Sequence, residues 1–272
     1  MKSVDKKRWL VLSACCIINL CLGSIYAWSV FASGLTGYFN GNLGMNVTPG
    51  DLAIVYTILN AVGPVTMITG GFFNDHLGPK MVIIIGGTMF GLGMIISGFA
   101  TSIPFLIVSY GLVSGLGLGM AYGATISTCV KYFPDKRGLI GGLTTAAYGF
   151  SSVILPPVIQ AIVQKADVMA AFKGIGAAFL VIVVICALFV SKCPDGYVPE
   201  GYTPKAAVRT SDNDKNWKEM LKAPVFYIMI LLLMCGAFSG MMVISQASPI
   251  GQEMIGMKAA QASAAVSGSF TF

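Results

Sequence analysis

Charge is what this chain has least of: Lys, Arg, Asp and Glu make up 10% of its 272 residues, where a soluble domain carries about a quarter. That shortage excludes a soluble globular fold. Histidine is nearly absent too, His76 being the only one, and no charged residue falls within the body of the apolar spans assigned below. Intramembrane acids and histidines are the usual parts of proton relays, so no obvious proton site is expected. No buried carboxylate pair, metal cluster or Ser-His-Asp set can be assembled within the spans, which disfavours catalysis. The seven cysteines, Cys15, Cys16, Cys21, Cys129, Cys186, Cys193 and Cys235, lie mostly inside apolar stretches without ligand spacing. They read as small buried hydrophobes rather than as disulfides. No repeat of roughly 20 to 50 residues is visible, which excludes solenoids and propellers.

What the chain does have is apolar length. Hydrophobic residues form 56% of it, in stretches of about twenty residues or more, each enough to cross about 30 Å of hydrocarbon at about 1.5 Å per residue. Reading between charges predicts spans near 10–34, 52–73, 81–100, 104–130, 139–162, 174–190 and 224–247. The run from Leu10 to about Phe31 is too long for the apolar region of a secretory signal, so it is read as a retained first span. An eighth stretch starts near Ala259 and reaches Phe272, too short for a helix to cross a bilayer, and an incomplete chain is the favoured explanation.

The longest polar interval, Ser191 to Lys222, carries Pro194, Pro199 and Pro204. It reads as a linker. The expected fold class is an all-α membrane protein: a six-span N-terminal half at 1–190, a cytoplasmic linker at 191–222, and the start of a second half at 223–272. Transporters built from two six-span halves divide this way. Fourteen of the 17 Lys and Arg residues fall on the side of the N-terminus and linker, against Lys165, Lys173 and Lys258 opposite. The positive-inside rule then puts the N-terminus in the cytoplasm of a multi-pass protein of the cell membrane. These basic residues flank spans and form no continuous patch, so lipid is the expected partner and nucleic acid is not.

Several local patterns carry two readings. Gly111, Gly115, Gly119 and Gly123 recur every four residues and line one face of span 4. That face either packs tightly or slides during a conformational change. Pro156-Pro157 at the end of span 5 predicts a kink, either in a cavity-lining helix or as a passive bend.

The 2–3 connection reads Gly70-Gly71-Phe72-Phe73-Asn74-Asp75-His76-Leu77-Gly78-Pro79-Lys80. It predicts a short hairpin, with Gly71 allowing close packing, Gly78 in a left-handed turn conformation and Asp75 accepting from helix-start amides. The segment resembles the signature loop of the major facilitator superfamily, G-x-x-x-D-(R/K)-x-G-(R/K)-(R/K), at Gly71, Asp75, Gly78 and Lys80, while His76 and Pro79 replace basic residues. The 4–5 loop, Lys131-Tyr132-Phe133-Pro134-Asp135-Lys136-Arg137-Gly138, is similar to the K-(W/Y)-F-P-D-(K/R)-R-G segment of the oxalate:formate antiporter family. There Lys131 complements the carboxyl end of span 4, Pro134 terminates it, Asp135 can cap span 5, and Arg137 completes the basic pair.

The resemblance implies two six-helix halves around a central cavity that opens to alternate sides, with no cofactor and a monomer when full length. It also implies aromatic binding residues in this half, and on the matching positions these are Tyr26, Trp28, Tyr122 and Tyr148. Ile25 stands where the family's oxalate carrier has glutamine, which points away from oxalate itself. The implied activity is transport of small mono- or dicarboxylates by antiport, with a proton-coupled monocarboxylate symporter as the alternative and a membrane-embedded sensor or enzyme as the different-class one. Tyr and Trp also populate membrane-interface belts, the competing role for all four residues.

Overall fold

The computed structural model describes residues 2–194, 197–199 and 217–253. Ten α-helices appear among them: α1 (Lys2–Leu22), α2 (Trp28–Asn42), α3 (Pro49–Leu77), α4 (Pro79–Ser97), α5 (Ile103–Leu106), α6 (Gly115–Tyr132), α7 (Arg137–Lys165), α8 (Val168–Phe189), α9 (Trp217–Met220) and α10 (Pro224–Glu253). A 3₁₀ segment, Gly23–Ala27, joins α1 to α2, and a π-helical segment, Ile107–Ser114, joins α5 to α6. The first and fourth spans are therefore each one rod with an irregular middle. Six helical spans are long and apolar enough to cross a membrane among the described residues. The stretch from Ala259 and most of the 191–222 linker lie outside the described residues.

Local chemistry sets the ends of these rods. Thr48 and Asp51 form a reciprocal capping box at the start of α3, with Pro49 in the first turn. The Asp167 side chain accepts from the Ala170 amide and starts α8. Span 6 thus begins at Val168, earlier than the expected 174, and takes in Lys173, which sits 4.2 Å from the centroid of the Phe99 ring near the membrane boundary. Gly78 has φ of 82°, a backbone closed to most side chains, and turns α3 directly into α4, which opens on Pro79.

Three expectations are corrected. Asp135 does not cap span 5: Lys136 is the residue at the N-cap, and no side chain caps there. Asp135 instead pairs with Arg8 at 3.4 Å, because the start of α1 lies beside the 4–5 loop. A side chain at Gly71 would meet open space, so close packing is the property of its neighbour Gly70, which faces Met120. Pro156 and Pro157 lie inside α7, which continues to Lys165 rather than ending there. The side chain of Asp75 lies outside the described residues.

The glycine face of α6 is a packing face. A Cβ added at Gly111 would meet the Val55 carbonyl oxygen at 3.2 Å, one at Gly115 the Leu59 carbonyl oxygen at 2.9 Å, and one at Gly123 the Met67 side chain at 3.1 Å. At Gly119 it would overlap the Gly63 carbonyl oxygen and the Thr66 hydroxyl. Steps of four on α6 meet steps of four on α3, in the same chain direction, so these two spans run parallel with their backbones in contact. The other side of α6 repeats the device against α4, where a Cβ at Gly86 would lie 2.7 Å from the Gly117 carbonyl oxygen.

Polar contacts inside the bundle are few and complete the arrangement. Asn19 of α1 is fully buried. Its Nδ2 donates to the Thr144 carbonyl at 3.3 Å, and the Thr125 hydroxyl donates to its Oδ1 at 2.8 Å. One side chain thereby ties the first span to the fourth and fifth. Gly119→Ala should destabilise the purified chain in detergent by on the order of 1 to 3 kcal/mol, because backbone rather than a flexible side chain blocks the added methyl. Gly174→Ala, where a Cβ meets nothing within 4 Å, should be neutral or stabilising. Equal melting temperatures for the two variants would show that the α3–α6 contact does not hold the bundle.

Candidate functional site

The middle of the first span is where the candidate residues gather. A Cβ at Gly23 would overlap the Tyr148 carbonyl oxygen and lie 2.7 Å from the Ser151 Cβ. The missing side chain therefore lets the 3₁₀ segment rest on the backbone of α7. That contact brings Tyr26, three residues on, to Tyr148: their rings lie 5.2 Å apart, edge to face. Tyr122 of α6 completes the group, its ring 4.6 Å from that of Tyr148. Tyr148 is 8% exposed and the other two are half-buried.

Trp28 points elsewhere. It is 1% exposed and stacks on Tyr110 of the π-helical segment at 5.2 Å, and on Tyr56 of α3 at 6.2 Å. Tyr110 in turn meets Phe172 of α8 edge to face at 5.6 Å, and Phe172 stacks on Phe31 at 4.2 Å. The structure thus brings together three of the four expected residues, Tyr26, Tyr122 and Tyr148, and puts Trp28 in an adjoining stack.

Sequence reasoning missed Tyr56 and Tyr110, both buried in that stack. It also missed five buried hydroxyls, on Ser24, Ser29, Ser151, Tyr56 and Tyr110, which have no hydrogen-bond partner among the described residues. Buried polar groups are normally paired, so an unpaired set beside one aromatic cluster is an unusual concentration of donors. Polar residues inside apolar runs were the signal that could have found them. Chemically, this wall offers hydroxyl donors and ring edges, and no formal charge. It can orient an anion but cannot neutralise one.

The two motif loops meet at the end of the bundle that carries the N-terminus. Lys131, Pro134 and Arg137 of the 4–5 loop line a cavity of about 290 Å³ together with Asn74 and Pro79 of the 2–3 loop and Tyr197 after α8. Pro134 follows the end of α6 at Tyr132, as a helix terminator should. Arg8 ties span 1 to the same place: beyond its pair with Asp135, its guanidinium lies 4.8 Å from the centroid of the Phe133 ring. Lys80 is exposed in the first turn of α4 and lines a separate groove.

Comparison with known proteins places these features in context. A family model described as Major Facilitator Superfamily matches residues 10–272. The chain is 28% identical over 249 residues to an oxalate:formate antiporter of Oxalobacter formigenes, covering 91% of this chain and 56% of that protein. It is 25% identical over 266 residues to YhjX of Escherichia coli K12, described as an uncharacterized MFS-type transporter, covering 96% of this chain and 62% of the relative. It is 26% identical over 181 residues to human monocarboxylate transporter 12, covering 66% of this chain and 34% of that one. The chain thus spans little more than half the length of the first two relatives.

The unpaired hydroxyl of Tyr110 yields a direct test. A buried hydroxyl without a partner costs about 1 to 3 kcal/mol, and the ring alone makes the stack with Trp28. Tyr110→Phe should therefore raise the melting temperature of the purified, ligand-free chain. A lower melting temperature would mean that the hydroxyl is paired.

Proposed function

The chain belongs to the Major Facilitator Superfamily, and from that premise we propose that it supplies the N-terminal half of a secondary transporter that moves small mono- or dicarboxylates by alternating access, in antiport. The observation that carries this reading is the uncharged Tyr26, Tyr122 and Tyr148 group, where spans 1, 4 and 5 meet. Hydroxyl donors on rigid rings suit a small carboxylate, whose charge is then met by cations from the second half. The likeness to an oxalate:formate antiporter supports the same substrate class. Trp28, with Tyr56 and Tyr110, forms the packed backing of this wall.

The rest of the proposal follows from the chain's layout. Residues 1–190 form the six-span half, 191–222 the linker and 223–272 the start of the second half, with α10 running through its first part. The basic asymmetry puts the N-terminus and linker in the cytoplasm, so the cavity between the 2–3 and 4–5 loops lies on the cytoplasmic side. There Gly71, Asp75, Gly78 and Lys80, with Lys131, Pro134, Asp135 and Arg137, act in gating: the Arg8–Asp135 pair joins span 1 to the 4–5 loop and must adjust when the halves rock. A proton-coupled monocarboxylate symporter is the second reading, favoured by the likeness to monocarboxylate transporter 12. It requires its proton site outside the described spans, whose middles hold no Asp, Glu or His.

Two measurements test this. In the complete gene product, Tyr148→Phe removes one charge-assisted hydrogen bond and little volume, costing on the order of 1.5 to 3 kcal/mol. Carboxylate affinity should fall roughly tenfold or more, whereas Tyr38→Phe in the last turns of α2 should leave it unchanged. Unaltered affinity in fully expressed Tyr148→Phe overturns the assignment. For orientation, a cysteine at the exposed Asn42 should react with an impermeant thiol reagent in intact cells, and one at Ser211 should not. The reverse labelling would invert the topology.

A further inference from the structure

Beyond the transport path, the first turns of α1 and α4, the end of α3, and the last turn of α8 with the residues that follow it frame a groove of about 700 Å³. Lys7, Lys80 and Lys192 form its rim, all three exposed. Most of the rest of its lining is apolar, and five large side chains of it face outward: Leu10, Leu77, Met81, Leu188 and Phe189 are between 47% and 56% exposed. No acidic side chain lines it among the described residues. Lys7 and Lys80 make no ion pair among the described residues, in contrast to Arg8, whose guanidinium is committed to Asp135.

These features sit together at one height. The groove lies at the ends of four apolar spans, α1, α3, α4 and α8, which sets its apolar part at the level of acyl chains and its lysines at that of headgroup phosphates when the bundle spans a bilayer. Acyl chains alone would explain the apolar side chains but leave Lys7 and Lys80 side by side with no ion pair among the described residues. A soluble anion would explain the lysines but leave five large apolar side chains open to water. One ligand satisfies both halves.

We propose that this groove binds one anionic phospholipid, its phosphate held by Lys7 and Lys80 with Lys192 at the rim, and an acyl chain laid along Leu77, Met81 and Leu188. The lipid bridges the ends of α1, α3, α4 and α8 from outside the bundle. In the orientation given above it belongs to the cytoplasmic leaflet, where anionic lipids attract basic segments. The proposal is independent of the substrate and of the transport mode.

The test uses the chain itself in vesicles of phosphatidylcholine, with brominated phosphatidylglycerol or brominated phosphatidylcholine added in steps. Trp9, 49% exposed and near the groove, reports the quenching in a Trp217→Phe background that retains the buried Trp28. Phosphatidylglycerol should quench saturably and at least tenfold more effectively than phosphatidylcholine. Lys7→Gln and Lys80→Gln should each weaken that preference about fivefold, while Lys165→Gln with Lys173→Gln, at the opposite end of the bundle, should not. Raising salt from about 0.1 to 1 M shortens electrostatic screening from about 10 to 3 Å and should abolish the preference in the unsubstituted chain, a readout that needs no groove variant. Millimolar inorganic phosphate should compete poorly because it lacks the acyl chain. Equal quenching by the two lipids, a preference that survives high salt, a preference unaffected by loss of Lys7 and Lys80, or full displacement by inorganic phosphate would each overturn the proposal.

Discussion

Apolar helices gain nothing by leaving hydrocarbon for one another, so what holds this bundle is contact close enough for backbones to touch. The α3–α6 seam shows how much depends on it. Gly111 of the π-helical segment and three glycines of α6 lie on Val55, Leu59, Gly63 and Met67 of α3, and Gly117 on the reverse side meets Gly86 of α4. With α6 fixed between two neighbours, Tyr122 has a set place opposite α7. The same device at Gly23 sets the 3₁₀ segment against the Tyr148 carbonyl. The candidate site is thus a consequence of missing side chains as much as of three aromatic ones.

An uncharged wall follows from the same economy. Holding a cation or carboxylate unpaired within the bilayer is costly, and a half-bundle with no partner charge would bear that cost throughout its folding. Hydroxyls on tyrosine rings avoid it, since each ring buries apolar area while its oxygen remains available. The Asn19 trio applies the principle at a structural position: Thr125 and the Thr144 carbonyl satisfy the buried amide, so it can bind three spans without drawing on charge.

The spans were legible in the sequence because length and hydropathy determine them, and Gly78 was legible because a glycine just before a proline, between two apolar spans, suits a sharp turn at positive φ. Boundaries were less so: the position of span 6 turned on whether Lys173 belongs inside, and Asp167 as an N-cap decided that it does. Tyr26, Tyr122 and Tyr148 could be picked out one at a time, but their meeting could not, since it depends on Gly23 facing α7 rather than lipid. Arg8 read as one more orienting charge, and only the fold brings it to Asp135 across 127 positions of chain. The 3₁₀ and π-helical segments left no clear signature in the pattern of residues, because neither holds a charge or a proline that would break an apolar run; what they change is the angle between positions.

That angle is what gives Tyr26-Ala27-Trp28 its two directions. Residues two apart on a helix face nearly opposite ways, so Tyr26 reaches Tyr148 of α7 while Trp28 reaches Tyr56 of α3 and Tyr110 of the π-helical segment. The irregular middle of span 1 is held on both sides by aromatic contacts and crossed by no regular run of α-helical hydrogen bonds. A ring that shifts on one side must therefore be answered on the other. Through Tyr110 and Phe172 the path continues to α8, and through Phe31 it returns to α2. The two ring groups, joined through the backbone of Tyr26-Ala27-Trp28, together reach five of the six spans without a charge among them.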